Sequence, residues 1–335
     1  MKKLLTLLLL ASVAASTLFA RDWKVDSLLR SGFETTVINQ GKDYSGNVIS
    51  TVIRKQTEKP SVNGILYVHG FNDYFFQKEM ADTFVNRNYS FYAVDLRKYG
   101  RSHLKNQKLF QVRNMREYFP DIDSAIRVMQ EDGIVNIILM GHSTGGLTTS
   151  LYMAEKHPAA VRALILNSPF LDWNLSPFIE NIAVPVISAI GKYHPEMRIP
   201  QGGGDSYGRS LLKGYDGEWE YDTELKLPKS PDVDAGWIRA IDSAQNDLRS
   251  MCYPIKIPVL LMYSSKSVSE GNDGDAVLDV KDIRKYGIQL GCDVTPVVVR
   301  NGLHDLVLSR PSIRQPLYRC IFKWLSEENI PGESY

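Results

Sequence analysis

The sequence predicts an α/β fold, in which helices cover both faces of a mostly parallel sheet. Short apolar runs alternate with helical stretches along most of the chain, and polar or glycine residues directly follow several of these runs. Runs that are apolar throughout are typical of parallel strands, because crossover helices bury both faces of the sheet. Ligands bind beyond the carboxyl ends of such strands, so the residues there are the first candidates for a functional site.

Eight strands and five helices are expected in the regular part of the chain. The strands are residues 33–39, 47–54, 65–68, 91–94, 134–140, 161–166, 259–263 and 294–299. The helices are residues 77–87, 118–130, 147–156, 277–286 and 313–325. The second helix is typical, because Ile122, Ala125 and Met129 recur at the spacing of one helical face. The first two strands form a hairpin through Gly41–Gly46 and supply an antiparallel edge.

The N-terminal segment predicts export. Residues 1–20 have the pattern of a secretory signal peptide, with Lys2 and Lys3 before an apolar run over residues 4–15 and a cut after Ala20. The alternative is an uncleaved anchor, although the apolar run is shorter than the roughly 20 residues that span a bilayer. We therefore expect an exported protein, either periplasmic or secreted.

The mature chain is expected to form one α/β core with an insertion. Residues 21–170 and 257–335 make up the predicted core, and residues 171–256 break the alternation with many proline, glycine and aromatic residues. A structureless loop of that length is uncommon in a compact domain. We therefore expect the insertion to be a lid, with helices and a small core of its own.

Composition and motifs exclude several classes of function. The formal net charge of +1 provides no basic field for nucleic acid, so no nucleic-acid partner is expected. No glycine-rich phosphate loop follows a strand and no metal-ligand cluster is visible, so neither a metal nor another cofactor is predicted. The three cysteines (Cys252, Cys292 and Cys320) leave at least one thiol free if all pairing is internal.

Residues 141–145, Gly-His-Ser-Thr-Gly, match the G-x-S-x-G motif. In this motif a sharp turn from a strand to a helix exposes the serine at the top of a sheet, and small flanking residues permit the turn. A second match, over residues 204–208, has Ser206 at its centre but no strand before it. Ser143 follows a predicted strand and precedes a predicted helix. We therefore interpret Ser143 as the nucleophile and Ser206 as an ordinary lid or loop serine.

A serine hydroxyl needs a base to become a good nucleophile. His304 directly follows the last predicted strand, which agrees with the chain order of serine, acid and histidine. His69 is expected in a structural turn and His142 inside the motif itself. The remaining histidines are expected in loops, in the lid or at a helix end (His103, His157 and His194). His304 is therefore the predicted base.

The acid that orients the imidazole is expected after the strand over residues 259–263. Four carboxylates are available there (Glu270, Asp273, Asp275 and Asp279). We favour Asp275, because a loop gives way to a helix directly after it, and the other three stay open as alternatives. Asp279 is expected inside the first helical turn, where a negative charge favours the positive end of the helix.

Two backbone N–H groups are needed to bind the negative charge that develops on a substrate oxygen. One belongs to Thr144, the residue after the nucleophile. The other is expected from the loop after the strand over residues 65–68, where Phe71 follows His69 and Gly70. These roles belong to the main chain.

These motifs resemble those of α/β hydrolases of the lysophospholipase, monoacylglycerol lipase and serine aminopeptidase-like group, and the resemblance covers most of the mature chain. The similar segments are 69–71 (the oxyanion turn), 95–102 (the D-x-R-G-x-G-x-S loop), 141–145 (the nucleophile motif), 275–277 (the D-x-V acid turn) and 304–305 (the histidine loop). Two departures are Lys98, where the family usually has glycine, and the longer, more polar stretch 264–274. The resemblance implies the α/β-hydrolase fold, with an eight-stranded sheet and an inserted lid.

The motifs and the resemblance together predict a carboxylic ester hydrolase whose substrate is a small-molecule or lipid ester. The apolar, aromatic lid favours an acyl lipid of the lysophospholipase or monoacylglycerol lipase kind, and it would make transient contact with a membrane surface. The lid's own core is the alternative explanation for those side chains. A second hypothesis is an exported aminopeptidase, in which Glu180, Glu196 or Glu218 would hold a substrate amine. A third is a non-catalytic binding module on the same fold.

Overall fold

The computed structural model describes residues 21–30, 32–200, 204–330 and 332. The predicted signal peptide, residues 1–20, therefore lies outside the described residues, as do residues 201–203 of the predicted lid.

The described chain has eleven strands, which form a nine-stranded sheet and a small two-stranded ribbon. The strands are β1 (Lys24–Val25), β2 (Glu34–Asp43), β3 (Gly46–Lys55), β4 (Asn63–Val68), β5 (Ser90–Asp95), β6 (Asn136–His142), β7 (Val161–Asn167), β8 (Arg198–Ile199), β9 (Val233–Asp234), β10 (Val259–Ser264) and β11 (Val294–Val299). The large sheet has the order β1-β2-β3-β5-β4-β6-β7-β10-β11, and β8 pairs with β9 in the ribbon.

The prediction of a mostly parallel sheet with an antiparallel edge is confirmed. Six neighbouring strands of the large sheet pair in parallel, namely β5, β4, β6, β7, β10 and β11. Strand β3 pairs antiparallel with both β2 and β5. Across the described residues the sheet has nine strands rather than eight, because Lys24–Val25 pairs with β2. A two-residue strand is too short to have an alternating pattern in the sequence.

The helices of the described chain are α1 (Lys78–Val85), α2 (Phe119–Glu131), α3 (Thr144–Lys156), α4 (Val184–Gly191), α5 (Ser206–Leu211), α6 (Ala235–Ser250), α7 (Val280–Gly287) and α8 (Pro311–Glu327). Five of the helices lie close to the predicted positions (α1, α2, α3, α7 and α8), and three lie in the insertion (α4, α5 and α6). Single turns of 3-10 helix occupy Gly100–Ser102, Met115–Tyr118 and Leu306–Leu308, and a π-helical turn occupies Ile179–Ala183. Within the described part of the chain, no helix is long and apolar enough to cross a bilayer.

The start of α7 differs from the prediction, because Asp279 lies before the helix instead of inside its first turn. Its side chain accepts a hydrogen bond from the backbone N–H of Lys281 at 2.9 Å, so Asp279 is the N-cap residue. An aspartate in this position satisfies one of the amide donors that a helix start leaves unpaired.

The central sheet separates two apolar layers. Alternate side chains of β4 point to opposite faces, so that Leu66 and Val68 join one layer while Ile65 and Tyr67 join the other. Strands buried in this way on both faces are those that the sequence shows as continuous apolar runs.

The apolar side chains of the insertion do not form the separate core that we expected. Trp173, Val184 and Trp237 are buried in the same layer as Leu66 and Val68 of the central sheet. Residues of the insertion therefore complete the apolar layer on this face of the sheet, and α6 packs against α3. The division into a core (21–170 and 257–335) and a lid (171–256) stays a prediction.

Lys98, where the resembling family has glycine, lies in the left-handed region with a φ of 67°. Glycine adopts this conformation without steric cost, which explains the family's preference. The lysine side chain is buried, its Nζ atom is 2.6 Å from Asp43 Oδ2 and it lies 4.0 Å from the centre of the Tyr44 ring. This ion pair offsets part of the backbone strain and attaches the loop to the hairpin of β2 and β3.

The cysteines are free. Cys252 and Cys292 are exposed, and Cys320 is half-buried in α8.

Candidate active site

Ser143 lies at a sharp turn between β6 and α3. Its φ of 52° and ψ of −118° are rare for a residue with a side chain, and such strain is typical of functional turns. The turn depends on its glycines, because a Cβ atom on Gly145 would lie 2.3 Å from the carbonyl oxygen of His69. A Cβ atom on Gly141 would lie 2.3 Å from Thr149 Oγ1. The small residues of the motif therefore allow the backbones of β4, β6 and α3 to approach closely.

The structure brings Ser143, His304 and Asp275 into one chain of hydrogen bonds. His304 Nε2 is 3.0 Å from Ser143 Oγ, and His304 Nδ1 is 2.9 Å from Asp275 Oδ2. All three side chains are buried. Because an ionised carboxylate only accepts hydrogen bonds, Nδ1 must hold the proton on that side. The lone pair of Nε2 then faces the serine hydroxyl.

Asp275 is bound on both of its carboxylate oxygens. Oδ2 faces His304, and Oδ1 accepts hydrogen bonds from the backbone N–H groups of Val277 and Leu278, each at 2.8 Å. Burial by itself would raise the pKa of this carboxyl group. The interaction with His304 and the two backbone hydrogen bonds more than offset that effect, so the pKa of Asp275 lies below its ordinary value.

The three alternative acids lie in environments that differ from that of Asp275. Asp273 is 2.6 Å from Lys266 in an exposed ion pair, Asp279 caps α7, and Glu270 is exposed. Of the four carboxylates considered, the structure places Asp275 against His304.

The turn after β4 lies directly beside Ser143. His69 is buried and accepts a hydrogen bond at Nε2 from the backbone N–H of Leu96 at 3.1 Å, so that Nδ1 donates to the carbonyl oxygen of Gly70 at 2.8 Å. A Cβ atom on Gly70 would lie 3.0 Å from the Cβ atom of Ser143. His69 thus orders the turn that leads to Phe71, in agreement with its expected structural role.

The backbone amides of Phe71 and Thr144 are the two donors that the sequence predicts for binding an oxyanion. Within the described residues, neither amide donates a hydrogen bond to another part of the chain. Thr144 is the first residue of α3, so its amide is one of the unpaired donors at a helix start. Such donors attract negative charge.

Two residues that we did not predict support His304. Asn167, at the end of β7, donates from Nδ2 to Asp305 Oδ1 at 2.6 Å and accepts from the backbone N–H of Leu306 at 3.1 Å. Tyr207 of the insertion accepts from the backbone N–H of Asp305 at 3.2 Å, and its ring lies edge-on to the His304 ring, 5.6 Å between centres. A polar residue at the carboxyl end of an apolar run was a usable signal for Asn167, whereas no sequence pattern marks Tyr207.

A second buried polar group lies behind the histidine, although the sequence predicted no metal-ligand cluster. Asp73, His142 and Asp305 each offer one ligand atom, and these atoms lie within 4.8 Å of one another. Burial lowers the pKa of His142, and its Nδ1 atom is 3.1 Å from the carbonyl oxygen of Asn167. The Lys226 ammonium group is 3.0 Å from Asp73 and balances the charge of that carboxylate. The three residues therefore form a buried polar group, in which Lys226 and Asp73 are the ion pair and Asn167 hydrogen-bonds to both His142 and Asp305.

Aromatic side chains surround Phe71. Its ring centre lies 4.8 Å from that of Trp237 in α6 and 5.3 Å from that of Phe110. Trp237 in turn packs against Trp173 and Phe170, with ring centres 6.0 and 6.4 Å away. The side of the site next to the turn after β4 is thus apolar, and the insertion provides much of that surface.

Two of the three carboxylates of the predicted lid that were considered for an amine site are paired. Glu196 is 3.2 Å from Arg113, and Glu218 is 3.1 Å from Arg314. Glu180 lies near Asp172 and Asp282, and burial together with these negative charges raises its pKa.

Comparison with known proteins agrees with this fold and these motifs. Residues 60–310 match the family described as serine aminopeptidase, S33. The chain is similar in structure to a monoglyceride lipase from Saccharomyces cerevisiae, with a TM-score of 0.66 and 16% identity over 88% of this chain and 96% of that chain. It is also similar to a monoacylglycerol lipase from Paleococcus ferrophilus, with a TM-score of 0.62 and 19% identity over 83% of this chain and 99% of that chain.

A curated relative matches over a shorter region. The protein named probable lysophospholipase BODYGUARD 1, from Arabidopsis thaliana, is 28% identical over 122 residues, which are 35% of this chain and 25% of that protein. The match therefore spans about a quarter of the relative's length. The family match extends over most of the chain and includes the turn after β4, the serine motif, Asp275 and His304. The predicted membership is confirmed: the chain belongs to the serine aminopeptidase, S33 family and has the α/β-hydrolase fold.

Proposed function

We propose that this protein is a serine hydrolase that cleaves carboxylic esters, with Ser143 as the nucleophile, His304 as the base and Asp275 as the acid that orients it. The main support is the hydrogen-bonded chain from Ser143 Oγ through His304 to Asp275, with distances of 3.0 and 2.9 Å. This arrangement is the one that activates a serine hydroxyl in unrelated hydrolases.

In the proposed reaction, Ser143 Oγ attacks the ester carbonyl carbon while its proton moves to His304 Nε2. The negative charge that forms on the carbonyl oxygen is bound by the amides of Phe71 and Thr144. When the ester bond breaks, His304 returns the proton to the leaving alcohol, and the acyl group stays on Ser143. Water then attacks this acyl-enzyme in the same way, and the carboxylic acid is released.

The ionised state of Asp275 matters at both proton transfers. Each transfer to His304 produces a positive imidazolium ring, and the carboxylate 2.9 Å away stabilises that charge. The lowered pKa of Asp275 keeps the carboxylate ionised at neutral pH. Its bonds to two backbone amides fix its orientation, so the ring keeps Nε2 towards the serine.

We propose an acyl lipid, such as a monoacylglycerol or a lysophospholipid, as the substrate class. The names of the similar proteins support this choice, and so does the surface of the insertion. Phe178, Ile182 and Val186 are 69%, 52% and 54% exposed along one helical stretch, and no charged residue occurs in residues 181–191. Exposed apolar patches of this kind mark contact sites for lipid or protein. Transient contact with a membrane surface is part of the proposal.

Aminopeptidase activity is the second candidate, because the family description names it. An aminopeptidase needs an acidic group near the serine to bind the free amine of the substrate. Glu196 and Glu218 are already paired with arginines, so two of the three carboxylates considered are not free to bind an amine. The ester reaction is therefore the better supported of the two.

The two activities are separated by comparing a p-nitrophenyl ester series, from acetate to palmitate, with aminoacyl-naphthylamides. We expect turnover of the esters, with a preference for longer acyl chains, and none of the amides. Turnover of the amides alone would favour the aminopeptidase. Absence of both, together with no labelling by a fluorophosphonate, would favour a non-catalytic binding protein.

Membrane contact is tested by sedimentation with phospholipid vesicles. We expect a Phe178→Ser/Ile182→Ser variant to bind vesicles more weakly than the wild type while it keeps its turnover of p-nitrophenyl acetate, a soluble ester. Equal vesicle binding by the two proteins would contradict this part of the proposal.

Export is proposed from residues 1–20 alone. Expression of the full chain in a bacterial host, followed by N-terminal sequencing of the periplasmic and secreted fractions, is expected to yield a protein that begins at Arg21. A cytoplasmic protein that retains Met1 would contradict this proposal.

A further inference from the structure

We propose that a buried ion pair between Lys226 and Asp73 holds the Phe71 amide in position, which makes Lys226 a positioning residue for the reaction. This inference rests on the proposed function, because that function assigns the Phe71 N–H group to the substrate oxyanion. Lys226 belongs to residues 219–228 of the insertion, which we call the strap.

The strap binds three consecutive residues of the turn after β4. Asn72 Nδ2 donates to the carbonyl oxygen of Leu227, and Asn72 Oδ1 accepts from the Leu227 N–H, both at 2.8 Å. Tyr74 Oη accepts from the backbone N–H of Asp222 at 2.8 Å. Lys226 Nζ is 3.0 Å from Asp73 Oδ1. These residues directly follow Phe71, so the strap fixes the chain on the carboxyl side of the proposed oxyanion amide.

The ion pair is the least solvent-accessible of these links. The side chains of Lys226 and Asp73 are 8% and 1% exposed, and Nζ lies 5.8 Å from the ring centres of both Phe76 and Tyr221. Solvent and salt screen such a buried pair little. Removal of one partner would leave the other as a buried charge without compensation. The same Asp73 faces His142 and Asp305, which belong to the buried group behind His304.

The backbone at Phe71 is held by hydrogen bonds on both its amino side and its carboxyl side. On the amino side, His69 and Gly70 are held by the hydrogen bond from Leu96. On the carboxyl side, Asn72 has a φ of 51°, a conformation that its two hydrogen bonds to the strap maintain. The peptide that presents the Phe71 N–H therefore lies between two fixed points. Loss of the Lys226–Asp73 pair would weaken the second of them, because the pair holds the strap against the residue next to Asn72.

A matched pair of lysine variants tests the proposal. Lys226→Met removes the buried charge, whereas Lys213→Met removes a lysine of the same insertion that pairs with Glu220 on the surface, where the side chains are 65% and 75% exposed. Active serines are first counted by titration with a fluorophosphonate, so that unfolded protein does not enter the rate. The turnover of p-nitrophenyl acetate per titrated serine is then measured.

We expect Lys226→Met to lower kcat per titrated serine about 10- to 100-fold with a KM within about threefold of the wild type, because a misplaced oxyanion donor affects the transition state more than the bound ester. Lys213→Met is expected to keep the wild-type kcat. A kcat for Lys226→Met within about twofold of the wild type would overturn the proposal.

The double variant Asp73→Asn/Lys226→Met separates positioning from stability. Because it removes both charges of the pair, neither partner is left as an unpaired buried ion, and the melting temperature is expected to recover towards the wild-type value. Its kcat per titrated serine is expected to stay low, since the ion-pair link between residue 226 of the strap and residue 73 of the turn is still missing. Recovery of both quantities together would show that Lys226 acts only through stability, and the proposal would be wrong.

Hydrogen–deuterium exchange provides a readout that does not need enzymatic activity. Peptides that cover residues 68–76 are expected to exchange faster in Lys226→Met than in the wild type, and at the wild-type rate in Lys213→Met. Unchanged exchange in Lys226→Met would overturn the proposal. If the wild type neither reacts with the probe nor cleaves esters, the proposed function fails, and the exchange rates still decide whether the ion pair holds the turn.

Discussion

Replacement of Asp275 by asparagine is expected to reverse the tautomer of His304. Asp275 Oδ1 accepts hydrogen bonds from the amides of Val277 and Leu278, so the single oxygen of an asparagine is held in that position. Its NH2 group must then take the place of Oδ2 and face His304 Nδ1, 2.9 Å away. The imidazole responds by moving its proton to Nε2. That proton points at Ser143, and no lone pair is left to accept the serine proton.

The expected loss is roughly 10⁴-fold in kcat, the size of effect that this substitution has in other enzymes with a serine, histidine and aspartate. At about 1.36 kcal/mol per factor of ten, this corresponds to about 5.4 kcal/mol of transition-state stabilisation. KM is expected to change little, because Asp275 is buried behind the histidine. A ground-state contact with the substrate would instead change KM.

The assay compares kcat for p-nitrophenyl butyrate in Asp275→Asn and in the three alternative acids changed in the same way (Asp273→Asn, Asp279→Asn and Glu270→Gln). The kcat values of these three variants are expected to stay within about threefold of the wild type. Surface ion pairs contribute little to stability, and asparagine caps a helix as aspartate does. If one of these variants lost the activity while Asp275→Asn kept it, the tautomer argument and the assignment of the acid would both be refuted.

Three further predictions concern the close packing at Gly145, the ionisation of Asp275 and the packing of Trp237. Gly145→Ala places a Cβ atom 2.3 Å from the carbonyl oxygen of His69, so overpacking is expected to destabilise the protein by about 1–3 kcal/mol or more. The control is Gly204→Ala, whose new Cβ meets no atom closer than 3.9 Å. We expect a lower melting temperature for Gly145→Ala than for Gly204→Ala. Ionised Asp275 stabilises the fold above its ordinary pKa of 3.8, and this contribution is lost as pH falls through its lower folded-state pKa. The difference in urea unfolding free energy between wild type and Asp275→Asn should therefore shrink from about pH 5 to about pH 2, and a constant difference would contradict it. Trp237→Ala removes a buried ring beside the turn after β4 and is expected to destabilise the protein by about 3–5 kcal/mol in urea unfolding.

The sequence was most informative where one local pattern determines one local structure. The apolar runs located the strands of the parallel sheet, because burial on both faces leaves little room for polar residues. The glycines around Ser143 predicted the sharp turn, because a side chain at Gly141 or Gly145 would collide with neighbouring backbone or side-chain atoms. Chain order and strand ends selected His304 and favoured Asp275 over three carboxylates that stayed open, and the structure brings His304 and Asp275 together.

Features that depend on contacts between distant segments were not visible in the sequence. Lys226 and Asp73 are separated by 153 positions, and nothing local marks either residue as one half of a buried pair. Tyr207 contacts the histidine loop from 98 positions away. The expected separate core of the insertion was wrong for a related reason, since periodicity identifies an apolar face but not the surface that covers it.

The proposed reaction depends first on Ser143 as the nucleophile. Its most direct test is labelling of the wild type, Ser143→Ala and Ser206→Ala with a fluorophosphonate, with ester turnover measured in parallel. Ser206 is the matched control, because it lies at the centre of the second G-x-S-x-G match and begins α5 in the insertion. We predict that labelling and turnover both disappear in Ser143→Ala and both persist in Ser206→Ala. Labelling or turnover that survives in Ser143→Ala would contradict it.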